Sequence, residues 1–112
     1  MNDNSNFYHK TAPHNLEYAG EGATREIIAY DNQLMMVKVS FEKGAIGTMH
    51  QHIHTQATFV ESGVFEFTIG EEKQIIKQGD ACFMPSNVLH GCVCLEAGAL
   101  IDSFGPYRED FV

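Results

Sequence analysis

The chain has 112 residues, which suits one domain with one core and leaves no room for two. Hydrophobic residues make up 44 % of it and charged residues 20 %, which excludes a disordered or low-complexity chain. Lys and Arg total 7 against 15 Asp and Glu, a formal charge of -8, so neither nucleic acid nor a membrane surface is expected as a partner. A small anionic ligand is still allowed, because a local cation outweighs a distant, screened net charge.

Residues 1–24 show no clear period, hold Pro13, Gly20 and Gly22, and read as an N-terminal arm. Residues 25–112 read as the folded unit. In Leu34 to Phe41, Met35, Val37, Val39 and Phe41 share one face, and Lys38 and Ser40 the other. That period of two predicts a half-buried strand, closed by the turn Glu42-Lys43-Gly44. Thr58 to Val60 predicts a strand ended by Ser62-Gly63. Val64 to Ile69 alternates again, and Gly70-Glu71-Glu72 predicts a hairpin into a return strand around Ile75 and Ile76. Gln78-Gly79-Asp80 turns into Ala81 to Met84, which Pro85-Ser86-Asn87 breaks. Gly91 to Leu95 and Ala99 to Phe104 follow as two strands separated by Glu96-Ala97-Gly98. Short strands at close spacing, with no helical stripe, predict an all-β sandwich or barrel.

No apolar run is long enough for a spanning helix, and the polar start Met1 to Asn6 is not that of a signal peptide, so the cytoplasm is the expected location. The odd set Cys82, Cys92 and Cys94 reads as reduced, buried thiols.

Three of the six His fall in His50-Gln51-His52-Ile53-His54. On a strand, residues two apart point to the same face, so His50 and His52 can reach one ion together. Gln56 lies just downstream, and His90 follows a Pro-containing turn in a separate strand. Imidazole with an amide or carboxylate oxygen suits a divalent ion such as Mn, Fe, Co, Ni or Zn. The expected metal site is therefore His50, His52, Gln56 and His90. The competing reading is a polar strand face. His9 and His14 read as surface residues of the arm.

At these spacings the sequence resembles the cupin family. Its first motif is met by Gly44, His50, His52, Gln56 and Gly63; its second by Gly79, Pro85 and His90, with Asn87 replacing a Gly and Cys94 an Asn. The resemblance implies a single-domain cupin barrel, a double-stranded β-helix with the metal inside. Most metal cupins carry Glu where this chain has Gln56. The neutral amide leaves the ion more Lewis acidity and more attraction for an anion.

Leu34 to Gly44, Val64 to Gly70, Pro85 to Val88 and the ending Asp102 to Phe111 further resemble the pectin-degradation cupins of the KdgF type. That likeness implies opening of 4,5-unsaturated monouronates to linear 5-keto-4-deoxyuronate in pectin or alginate breakdown. Asp102 then reads as the proton carrier, Phe104 as a ring that packs on the sugar, and Arg108 as the bidentate grip on its carboxylate. A solvated tail is the competing reading for Arg108 to Asp110. His54 reads either as support for the site or as part of its rim. A metal cupin dioxygenase and a non-catalytic sugar-sensing cupin are the alternative functions. A homodimer is expected, because exposed sheet edges need cover.

Overall fold

The computed structural model describes residues 7–11 and 16–112. His14 lies outside the described residues, and His9 is half-buried. The elements are β1 (Glu17–Tyr18), β2 (Ala23–Tyr30), β3 (Met35–Phe41), β4 (Ile46–His50), β5 (Thr55–Ile69), β6 (Glu72–Lys77), β7 (Ala81–Met84), β8 (His90–Gly105) and a short 3-10 turn, Glu109–Phe111. No helix among the described residues is long and apolar enough to cross a membrane.

All eight strands among the described residues belong to one antiparallel sheet. Its spine is a single ladder between β5 and β8, running from Thr55 opposite Gly105 to Ile69 opposite His90. One half of the ladder is flanked by β3 and β7, the other by β4 and β6. β2 adds to β3, and β1 to β2.

The two long strands differ from the expected pairs of shorter ones. Ser62-Gly63 does not end a strand but forms bulges in β5, where the register shifts between Val60 and Phe65. Gly63 takes φ +84° there, and a Cβ on it would lie 2.6 Å from the Glu96 carbonyl oxygen. Gly98 faces the same crossing, where a Cβ would overlap the Ser62 carbonyl. Only two glycines let the backbones approach this closely, so turn-like residues serve to bend a continuous ladder. The sheet also begins earlier than the expected boundary at residue 24. β1 and the start of β2 are paired, with Ala23 opposite Phe41, because Thr24 and Arg25 continue an extended edge.

The inward face alternates as period two requires. Val60, Phe65, Phe67, Cys92, Cys94 and Leu100 form one buried cluster. Phe41 meets Phe65 edge-on at 5.3 Å. Met35, Val37 and Phe104 form a second, covered by Ile27, Tyr30, Tyr107 and Phe111. The three thiols are free, and burial pushes those of Cys82 and Cys92 up to about 12, so they stay protonated. The C-terminal segment is docked through its rings, with Tyr107 stacked on Tyr30 at 5.8 Å and Phe111 edge-on to Phe104 at 5.8 Å, while Glu109 and Asp110 stay exposed as the tail reading has them.

Candidate metal centre and substrate cavity

The sheet wraps around an open cavity of about 930 Å³. His50, Gln56, His90, Asp102, Phe104 and Arg108 all line it. They arrive by different routes. His50 ends β4 directly opposite His90, the first residue of β8. Gln56 is the second residue of β5, and Asp102 and Phe104 lie on the inward face of β8 opposite Thr58 and Gln56. His52 does not share a strand with His50, in contrast to the expected pair on one strand face. It sits in the connection from β4 to β5, where the Asn87 N–H donates to its carbonyl at 2.7 Å. Asn87 has φ +64°, the left-handed conformation that Asn tolerates better than most residues. Asn can therefore stand at a position where the motif has Gly.

His50, His52 and His90 each offer a ring nitrogen, all within 4.8 Å of one another. Their tautomers follow from their partners. Each Nδ1 lies against a backbone carbonyl: His50 against Thr48 at 2.7 Å, His52 against His54 at 3.0 Å, His90 against Val88 at 2.9 Å. A carbonyl only accepts, so each Nδ1 carries a proton and donates it. Burial, reinforced by the Arg108 charge, lowers the His52 pKa, and burial lowers that of His90. Both rings are neutral at pH 7, and their Nε2 atoms present lone pairs.

His90 Nε2 is buried without a hydrogen-bond partner. His52 Nε2 lies 3.0 Å from Gln56 Oε1. Two lone pairs at that distance are reconciled by a positive centre between them, either a proton on Nε2, which the Gln56 oxygen favours, or a bound cation. The donor set of three imidazoles and one amide oxygen therefore fits a cation, with the second ring nitrogens oriented by backbone carbonyls as metal-binding His usually are.

A chain of buried groups leads from this cluster to the carboxylate. Gln56 Nε2 donates to Thr58 Oγ1 at 3.0 Å, and the Thr58 hydroxyl donates to Asp102 Oδ1 at 2.7 Å. Burial raises the Asp102 pKa to about 6, against the opposing pull of the Thr58 and Gln56 hydrogen bonds and of Arg108.

Arg108 faces the site differently from expectation. Its Nε and Nη2 already donate to the two Asp110 oxygens at 3.0 and 2.9 Å, which holds the Asp110 pKa down. Its guanidinium carbon lies 4.4 Å from the Phe111 ring centre and 5.3 Å from that of Phe104. Phe104 is 2 % exposed, packed against His52, His54 and Phe111, and offers a substrate little surface. His54 supports the cluster through its carbonyl, and its own Nδ1 is buried without a partner. Two residues without an assigned role also reach the site. Thr58 could have been found from its place two residues after Gln56 on one strand face. Arg25 lines the cavity with its guanidinium carbon 3.9 Å from the Phe111 ring centre, and no motif marks it.

The sequence pattern described as the cupin domain matches residues 37–101. The chain belongs to the cupin family. It is 51 % identical over 98 residues to the pectin degradation protein KdgF of Dickeya dadantii (strain 3937), a match that covers 86 % of this chain and 89 % of that protein. Among solved structures, KdgF from Halomonas sp. is 37 % identical with a TM-score of 0.87, covering 94 % of this chain and 97 % of that one. An RmlC-like cupin from Shewanella frigidimarina is 38 % identical with a TM-score of 0.88, covering 93 % and 95 %. Within the cupin family this is a KdgF-like enzyme.

Proposed function

We propose that this KdgF-like cupin opens 4,5-unsaturated monouronates to the linear 5-keto-4-deoxyuronate, with one divalent transition metal ion held by His50, His52, Gln56 and His90. The likeness to a pectin degradation protein over 86 % of the chain carries this reading. The cavity supplies groups suited to the chemistry.

The substrate is a cyclic enol ether bearing a carboxylate at C5. Opening adds a proton at C4 and water at C5. The hemiketal then breaks its bond from C5 to the ring oxygen and leaves a C5 ketone. When bound, the ion supplies Lewis acidity and positive charge, which a neutral Gln56 leaves less compensated than a Glu would. Asp102, with a pKa near 6, gives and takes a proton close to neutral pH. Arg108 keeps free N–H groups on Nη1 and Nη2 after binding Asp110, and these form a second edge for the substrate carboxylate. The Asp110 pair and the Phe104 and Phe111 rings hold that edge in place. The substrate is thus a small anionic sugar, derived from pectin or alginate. Phe59 and Phe83, 47 % and 56 % exposed on the outer face of neighbouring strands, support a homodimer, which light scattering in solution tests.

The experiment is incubation with an unsaturated monouronate, following the ultraviolet absorbance of its conjugated double bond. Protein-dependent loss of absorbance, abolished by a chelator and restored by added ion, is expected in air and without oxygen alike. No loss with metal-loaded protein refutes the proposal.

A further inference from the structure

Gln56 brings to the His cluster a group whose two ends are almost the same size and opposite in character. Its Oε1 suits a cation, and its NH₂ repels one. Something in the fold must choose between them, and the imidazoles do not: a bare Nε2 lone pair would prefer the NH₂ as donor. The choice is made on the other side of the amide. Thr58 is 1 % exposed and sits two residues along β5 from Gln56, opposite Asp102 on β8. Its hydroxyl has a single proton, and Asp102 Oδ1 claims it at 2.7 Å. The Thr58 oxygen is then left as an acceptor, and it takes the Gln56 NH₂ at 3.0 Å. With its NH₂ held there, the amide turns its oxygen towards His52 Nε2, 3.0 Å away. The reverse amide would need the Thr58 proton for its own oxygen and would leave Thr58 facing Asp102 as two acceptors.

We propose that Thr58 is a positioning residue, which locks the Gln56 amide with its oxygen towards the three imidazoles and so prepares the cation site before any ion arrives. This rests on the metal-site reading above and adds to it a residue outside the donor set. It also accounts for a hydroxyl buried on a strand face whose other inward positions along the same stretch are Gln56 and Val60.

The test is equilibrium Zn²⁺ binding to metal-stripped protein, measured by competition with a chromophoric chelator. Thr58→Val keeps the β-branched shape and puts a methyl group in place of the hydroxyl. Zn²⁺ affinity should fall by about 10-fold or more, the scale seen when the partner of a metal ligand is removed. Thr58→Ser should restore it to within about 3-fold, since the hydroxyl and not the methyl is what the proposal needs. If the unaltered chain binds no Zn²⁺, the metal-site reading fails. If it binds and folded Thr58→Val binds equally well, the positioning role alone fails.

Should Thr58→Val not fold, the metal-free unaltered chain answers by NMR. Nuclear Overhauser contacts from the Gln56 NH₂ protons to the Thr58 side chain are expected. Contacts from those protons to the His52 ring instead overturn the proposal.

Discussion

Replacing Asp102 by Asn should make the metal-free protein more stable and the enzyme much slower, with the stability gain depending on pH. Burial lifts the carboxyl from 3.8 to about 6, so the charged form carries a cost in the native state. About two pKa units correspond to about 3 kcal/mol. The native pKa lies above the unfolded one, so between the two values the native state keeps a proton that the unfolded chain has released. Stability contributed by this group is therefore lost as pH rises through that window. Linkage gives a cost of about 1 kcal/mol at pH 4.5 and about 3 kcal/mol at pH 8. Asn keeps the shape and an acceptor for the Thr58 hydroxyl but cannot ionise, so it escapes the cost. Urea unfolding at the two pH values should thus show a gain for Asp102→Asn that grows by about 2 kcal/mol from pH 4.5 to 8. Turnover of the unsaturated uronate should fall by about 100-fold if Asp102 moves the proton. A gain independent of pH, or a variant less stable than the parent at pH 8, refutes the account of a burdened buried carboxylate. Unchanged turnover removes its acid–base role.

Three further outcomes follow from the same geometry. Gln56→Glu should tighten Zn²⁺ by about 10-fold, because a carboxylate is a better donor, and raise KM for an anionic substrate by added negative charge; a lower KM with faster turnover would contradict this. Arg108→Lys keeps the charge but loses the planar fork that holds Asp110 and leaves a second edge, so steady-state kinetics should show KM raised about 10-fold with kcat changed by less than about 3-fold. Gly98→Ala places a Cβ on the Ser62 carbonyl and should cost more than about 3 kcal/mol by denaturant unfolding, whereas a cost under 1 kcal/mol would mean the crossing has room to spare.

Much of this was legible in the sequence, for physical reasons that also mark where legibility ends. The all-β architecture was readable because period-two alternation and turn residues are local signals; that it is a cupin barrel was implied only by the resemblance of the Gly44 to Gly63 and Gly79 to His90 spacings to the family's motifs. The grouping of His50, His52 and His90 was readable from motif spacing. The route to it was not: His52 belongs to a loop pinned by Asn87, not to the strand face of His50. Ser62-Gly63 and Glu96-Ala97-Gly98 read as turns because bulges and turns call on the same residues. Only the pairing of distant segments tells them apart. The docking of Phe111 and the capture of Arg108 by Asp110 depend on how the chain end folds back, which no local pattern encodes. Thr58 shared a strand face with Gln56, which was a local sign of it, but its partner Asp102 lies opposite only once the distant strands pair.

The bent ladder has a consequence for how the molecule holds itself closed. Gln56 and His90 stand near opposite ends of it, Gln56 beside Phe104 and His90 beside Ile69. Along a flat sheet the 13 steps from Gln56 to Ile69 would span about 43 Å. Yet His52, 3.0 Å from the Gln56 oxygen, has its ring centre 5.0 Å from that of His90. A bound ion would then be a clasp fastening the two ends of one ribbon. Opening either end would undo it, and backbone amides at both ends, far apart along the strands, should slow their hydrogen exchange together when the clasp is fastened.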